Sequence, residues 1–132
     1  MAIYGAGAYY DHDVSEDFLE NNLVGVGWDD NDAPELQEYF KSLKVGDIVY
    51  LKAAFGGADI TVKGIGIIRD NLIRTRIDTN GLVFTGRNVA WLNTERFVIT
   101  KPVEKNNVRS NTIYEEFHPV VQREIIERIT SR

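Results

Sequence analysis

The chain contains no cysteine. That excludes a disulfide framework, a thiolate metal site and a cysteine nucleophile together, and it fits a reducing, cytoplasmic setting. Histidine is scarce: His12 and His118 stand 106 positions apart, with no HExxH pair and no Cys/His cluster around either. A metal site is therefore not expected, and a lone histidine is more often a surface or packing residue than a ligand. No apolar run approaches the roughly 18–20 residues that span a bilayer. The opening MAIYGAGAYYDHD lacks a basic stretch followed by a continuous apolar one, so neither a membrane partner nor a secretory leader is expected. No serine stands in a nucleophile elbow. Gly5-Ala6-Gly7 and Gly64-Ile65-Gly66 are Gly-x-Gly elements without the rest of a phosphate-binding fingerprint. The acidic turn Asp29-Asp30-Asn31-Asp32 has too few spaced ligands for a calcium loop. Together these absences point away from an enzyme, and no cofactor is implied.

What is present suits one domain over residues 1–132, with 43% hydrophobic and 27% charged residues. A net charge of −5 argues against purely electrostatic nucleic-acid binding. The charge is unevenly spread, however. Residues 1–62 hold 3 Lys/Arg against 12 Asp/Glu, and residues 63–132 hold 12 against 8. Such asymmetry marks either one basic face on an acidic protein or two surfaces that differ by chance.

Hydrophobic patterning predicts the element order. Ala2–Tyr10 reads as a strand whose Gly5 and Gly7 permit a bulge or close approach. Ser15, followed by Glu16 and Asp17, reads as the cap and acidic first turn of a short helix ending near Asn21-Asn22. Leu23–Trp28 reads as a buried strand. A second helix is expected over Ala33–Leu43, with Leu36, Tyr39, Phe40 and Leu43 on one face. Ile48–Ala54 and Ile60–Ile68 read as strands joined through the loop Phe55–Asp59, and Gly64 and Gly66 suit curvature in the second. Asp70–Gly81 and Glu104–Asn111 read as loops. Leu82–Leu92 and Arg96–Lys101 read as strands. Residues 117–130 form a C-terminal helix with Val120, Val121, Ile125, Ile126 and Ile129 at helical spacing. The class is α+β: a bent sheet, closing towards an open barrel, with antiparallel consecutive strands and helices outside.

Aromatic residues cluster at strand ends beside polar ones: Tyr9, Tyr10, Trp28 with Asp29, Phe55, and Trp91. Aromatic faces converging at one end of a sheet can sandwich a base, at about 1–3 kcal/mol per stacked base. Each tryptophan also suits ordinary core packing with its indole N–H satisfied. Lys63, Arg69, Arg74, Arg76, Arg87 and Lys101 fall in the later strands and their connections. On neighbouring edges they would make a track for phosphates; singly, each also suits a solvated sheet face.

The ordered pieces resemble the PUA-like superfamily, and within it the EVE and YTH-like domains. Leu23-Val24-Gly25-Val26-Gly27-Trp28-Asp29 is similar to the strand ending in Gly-Trp. Val45-Gly46-Asp47-Ile48-Val49-Tyr50 is similar to the strand that opens on Gly-Asp. Val62-Lys63-Gly64-Ile65-Gly66-Ile67-Ile68 is similar to the glycine-rich strand that comes next, and Arg87-Asn88-Val89-Ala90-Trp91 to the late R-x-V-x-W strand. These span roughly residues 2–101. The resemblance implies a barrel-like sheet flanked by helices that binds nucleic acid, several members taking a modified base in an aromatic cage. It implies Trp28 as a cage wall or floor, Asp29 near the pocket mouth, Lys52 facing the same region, and a matching place for Trp91. Arg109–Arg132 is similar to the segment C-terminal to such domains in bacterial restriction and defence proteins.

The resulting expectation is a non-catalytic reader of DNA or RNA that takes a modified or flipped base into an aromatic pocket, with an effector protein as a further partner. A small-molecule or protein-interaction module using the same pocket is the alternative. A nuclease or base-processing enzyme using Asp29, Asp30 or Glu95 ranks last.

Overall fold

The structure is a computed structural model that describes residues 2–8, 13–27, 34–53, 59–100 and 112–130. Its elements are β1 (Ile3–Gly7), α1 (Ser15–Asn21), β2 (Leu23–Val26), α2 (Pro34–Ser42), β3 (Ile48–Ala53), β4 (Ile60–Thr75), β5 (Thr85–Asn93), β6 (Phe97–Ile99), β7 (Ile113–Glu115) and α3 (Pro119–Thr130). The seven strands form one mixed sheet in the order β2-β5-β4-β3-β1-β7, with β6 also paired to β4. β1 and β3 are parallel; every other pair is antiparallel. The α+β class stands, but the sheet is not closed into a barrel, because the edge strands β2 and β7 do not pair with each other. No helix among the described residues is long and apolar enough to cross a membrane.

The sheet has a core on each face. Alternation along β3 sends Val49 and Leu51 to one face and Ile48 and Tyr50 to the other. The first face packs against Val14 and Phe18 from the α1 region and against Phe40 and Leu43 at α2. The second packs against Val121 and Ile125 of α3. Each fully buried phenylalanine contributes on the order of 2–3 kcal/mol by leaving water. Of the apolar residues expected on the C-terminal helix, Ile126 is the outlier, on the exposed flank.

Strand β4 carries two irregularities that bend the sheet. Leu51 pairs with Gly64 while Lys52 pairs with Val62, so Lys63 is an extra residue on β4. That bulge restores Ile65 to the face already occupied by Ile60 and Val62, and it points Lys63 towards α1. Further along, Ile68 pairs with Val89 and Ile73 with Arg87, so Arg69–Leu72 stand opposite Asn88 alone. The segment expected as a loop from Asp70 thus continues as strand to Thr75, with a four-residue excursion inside it. A polar, interrupted stretch hides its strand character from periodicity, yet the β5 partner supplies the backbone bonds that hold it. Strand β7 is likewise unexpected from the sequence: three residues are too few for a periodic signal.

Helix α1 starts otherwise than expected. Ser15 is its first helical residue, and Val14 occupies the cap position without a side-chain bond. The Asp13 carboxylate instead accepts from Ser15 N at 2.9 Å and Ser15 Oγ at 2.6 Å.

Candidate functional site

The described residues place chemistry-bearing side chains in three regions. The first lies on the α3 face of the sheet. Tyr50, two residues before Lys52 in the same strand, points to the same face as Lys52 because β3 alternates. Opposite it, Tyr114 of β7 fits because Gly5 has no side chain; a methyl there would overlap the tyrosine ring. The Tyr50 hydroxyl donates to Glu116 Oε1 at 2.6 Å and meets the Tyr114 hydroxyl at 2.5 Å. A phenol has one proton, so Tyr114 is the donor to Tyr50. Glu116 Oε2 accepts from the His118 backbone at 3.1 Å, and Lys52 Nζ sits 5.4 Å from the Tyr114 ring centre. All four side chains are buried. Burial, reinforced by Tyr114 and Glu116, raises the Tyr50 pKa far above the ordinary phenol value, so the Tyr50 hydroxyl keeps its proton.

The second region lies between α1 and the β5–β6 bend. Lys63, 6% exposed, pairs with the Asp13 carboxylate and lies 3.0 Å from Ser15 Oγ. Burial opposes ionisation of Asp13, but the bonds from Lys63 and Ser15 outweigh it and hold its pKa at about 2. A cavity of about 380 Å³ opens here, lined by Glu16, Leu19, Glu20, Lys63, Thr94 and Arg96.

The third region is the β4–β5 ribbon. β3 pairs with β4 only as far as Ile67, so the later part of β4 runs on beyond it with β5 and β2. Arg69 and Arg76 are exposed, as are Leu72 (64%) and Ile77 (90%). Arg74 is held in place, Nε to Asp78 at 3.0 Å and one Nη to Asn88 at 2.8 Å. Asn88 in turn donates to the Asp70 carboxylate at 3.1 Å. The tip turns through Asn80 and Gly81, both at positive φ.

The described residues cover only part of the expected pocket and track. Tyr9, Tyr10, Trp28, Asp29, Phe55 and Lys101 lie outside the described residues. Strand directions separate the described strand ends next to them. β1 and β3 run together, so the chain leaves Gly7 and Ala53 at one end of the sheet. β2 runs the opposite way, and Val26, two residues before Trp28, pairs with Thr85, itself paired with Thr75 at the base of the ribbon tip. Trp91 is half-buried under α1: its indole N–H donates to the Phe18 carbonyl at 3.3 Å, and its ring lies where a side chain at Gly66 would be. That is a packing position rather than an open aromatic face.

Arg87 requires a correction. Far from lying on a surface track, it is 1% exposed, with one Nη donating to the Phe40, Lys41 and Leu43 carbonyls and the other to Asp70 O at 2.7 Å. It closes the C-terminal end of α2, where orphan carbonyls and the helix dipole favour a cation. Lys63 is likewise drawn inward by Asp13. Among the described residues of the expected track, Arg69, Arg74 and Arg76 share the ribbon.

Tyr50, Tyr114, Glu116 and Asp13 went unrecognised in the sequence as site residues. The period of two along β3 carried the Tyr50–Lys52 signal; nothing local distinguishes buried Glu116 from its exposed counterparts. Among the described residues, no group of three or more His, Asp or Glu side chains is arranged to hold a metal. No protein-family model matches the chain, and no curated protein matches it.

Proposed function

We propose that the chain is a non-catalytic, PUA-like module that binds nucleic acid in a reducing compartment. The β4–β5 ribbon grips phosphates, and one modified or flipped base is taken against Trp28. The observation that carries this reading is the ribbon itself. Arg69 and Arg76 are exposed, Arg74 is braced by Asp78 and Asn88, and Leu72 and Ile77 stand uncovered beside them. Exposed arginines with apolar neighbours suit a phosphate backbone with splayed bases. Support for the role of Trp28 is the register Val26–Thr85–Thr75, which brings the end of β2 to the same end of the sheet as the ribbon tip. An effector protein would supply any chemistry that comes after recognition.

The test is fluorescence anisotropy with methylated and unmethylated DNA and RNA oligonucleotides over a salt series. Binding is expected to weaken with salt, and the double variant R69A/R76A to lower both affinity and salt slope on every sequence alike. Trp28→Ala is expected to abolish the preference for the modified base while leaving the circular-dichroism spectrum unchanged. No binding to any oligonucleotide at low salt removes the proposal.

A further inference from the structure

We propose that the cavity between α1 and the β5–β6 bend is a separate binding site for a small, hydroxyl-bearing ammonium compound. It stands independently of the nucleic-acid reading, since none of its lining residues belongs to the ribbon.

The inner anchor is Lys63. Its ammonium has three donors. Among the described residues, Asp13 and Ser15 take two, on a side chain that is more than nine-tenths buried and lines the cavity. The remaining donor suits an acceptor oxygen. Because Asp13 already neutralises Lys63, that oxygen is better a hydroxyl than a carboxylate. The outer wall is acidic. Glu16 and Glu20 are four residues apart on one face of α1, and both line the cavity. Glu16 has Arg96 at 3.8 Å, whereas Glu20 makes no ion pair among the described residues. Asp13, Glu16 and Glu20 against Lys63 and Arg96 leave one negative charge in excess, which favours a cation. Leu19 supplies an apolar floor and Thr94 a second hydroxyl. A volume of about 380 Å³ lies at the small end of ligand pockets. The complementary ligand therefore has an ammonium group for Glu20 and hydroxyls for Lys63 and Thr94, the pattern of an amino sugar or amino alcohol.

The probe is glucosamine added to the full chain, with amide chemical shifts as the readout and glucose and glucuronate as matched neutral and anionic controls. Saturable shifts at Leu19, Thr94 and Arg96 are expected with glucosamine, weaker ones with glucose and none with glucuronate. Glu20→Gln, at an exposed position that leaves the core intact, is expected to weaken glucosamine about tenfold, as loss of one charge-assisted contact implies, and to leave glucose unchanged. Absent shifts, equal response to glucuronate, or unchanged affinity in Glu20→Gln would each overturn the proposal.

Discussion

Replacing Arg87 by methionine separates two incompatible roles for this residue. Methionine fills a similar volume without charge or donors. The substitution removes the donors to the carbonyls of Phe40, Lys41, Leu43 and Asp70. A hydrogen bond from a charged group contributes about 1.5–3 kcal/mol, and a buried acceptor left without a partner costs about 1–3 kcal/mol. Against this stands the relief of burying a guanidinium. Burial lowers the Arg87 pKa despite the opposing pull of Asp70 and Asp47, and Nε has no partner among the described residues. Because replacing a buried charge by an apolar side chain recovers its desolvation cost, the four bonds do not add in full. A net loss of about 2–4 kcal/mol is expected, or a Tm lowered by roughly 8–15 °C in a domain of this size. Urea unfolding monitored by circular dichroism would show a lower midpoint with an unchanged m value. Arg87→Lys keeps the charge but not the fork, and should lie between the two. If Arg87→Met left the midpoint unchanged and instead reduced oligonucleotide affinity, the helix-closing role would be wrong and the phosphate role right.

Tyr50→Phe takes a donor from Glu116 Oε1 and an acceptor from Tyr114 in a buried setting, so a loss of about 1–3 kcal/mol is expected by urea unfolding. Gly5→Ala forces the Tyr114 ring from its bonded position and should cost about as much, roughly 1–3 kcal/mol; combined with Tyr114→Ala it should cost less than the two singles added together. Asp13, with its folded pKa depressed to about 2 from 3.8, stabilises the fold above its unfolded value and loses that contribution as pH falls towards 2. Asp13→Asn should therefore flatten the acid limb of a stability–pH curve between about pH 4 and 2, and an unchanged limb would refute the Lys63 pairing. R69A/R76A should leave thermal stability within about 0.5 kcal/mol while weakening oligonucleotide binding, since both side chains are exposed.

Local pattern and tertiary contact contributed different things. The apolar runs of β3 and the first half of β4, the helical spacing of Phe40 and Leu43, and Ile125 and Ile129 of α3 were legible because hydrophobic patterning is a local property. So were the α+β class and the antiparallel run of later strands. Ile126, by contrast, was expected on the buried face and is exposed. The Gly64–Gly66 pair was legible as special, though its reason is room for the Leu19, Val89 and Trp91 side chains as much as curvature. What the sequence could not reveal depended on partners far along the chain. Arg87 looks like any surface arginine until the end of α2, about 45 positions earlier, is laid over it. Lys63 looks like a strand-face lysine until a bulge turns it towards Asp13. Glu116 is indistinguishable from neighbouring Glu115 until Tyr50 arrives 66 positions away in sequence. The missing cysteines and the lack of catalytic spacings belong to the sequence alone. Which charged side chains face water and which satisfy buried carbonyls was decided by the sheet, because burying a charge is tolerable only where the fold supplies its partners.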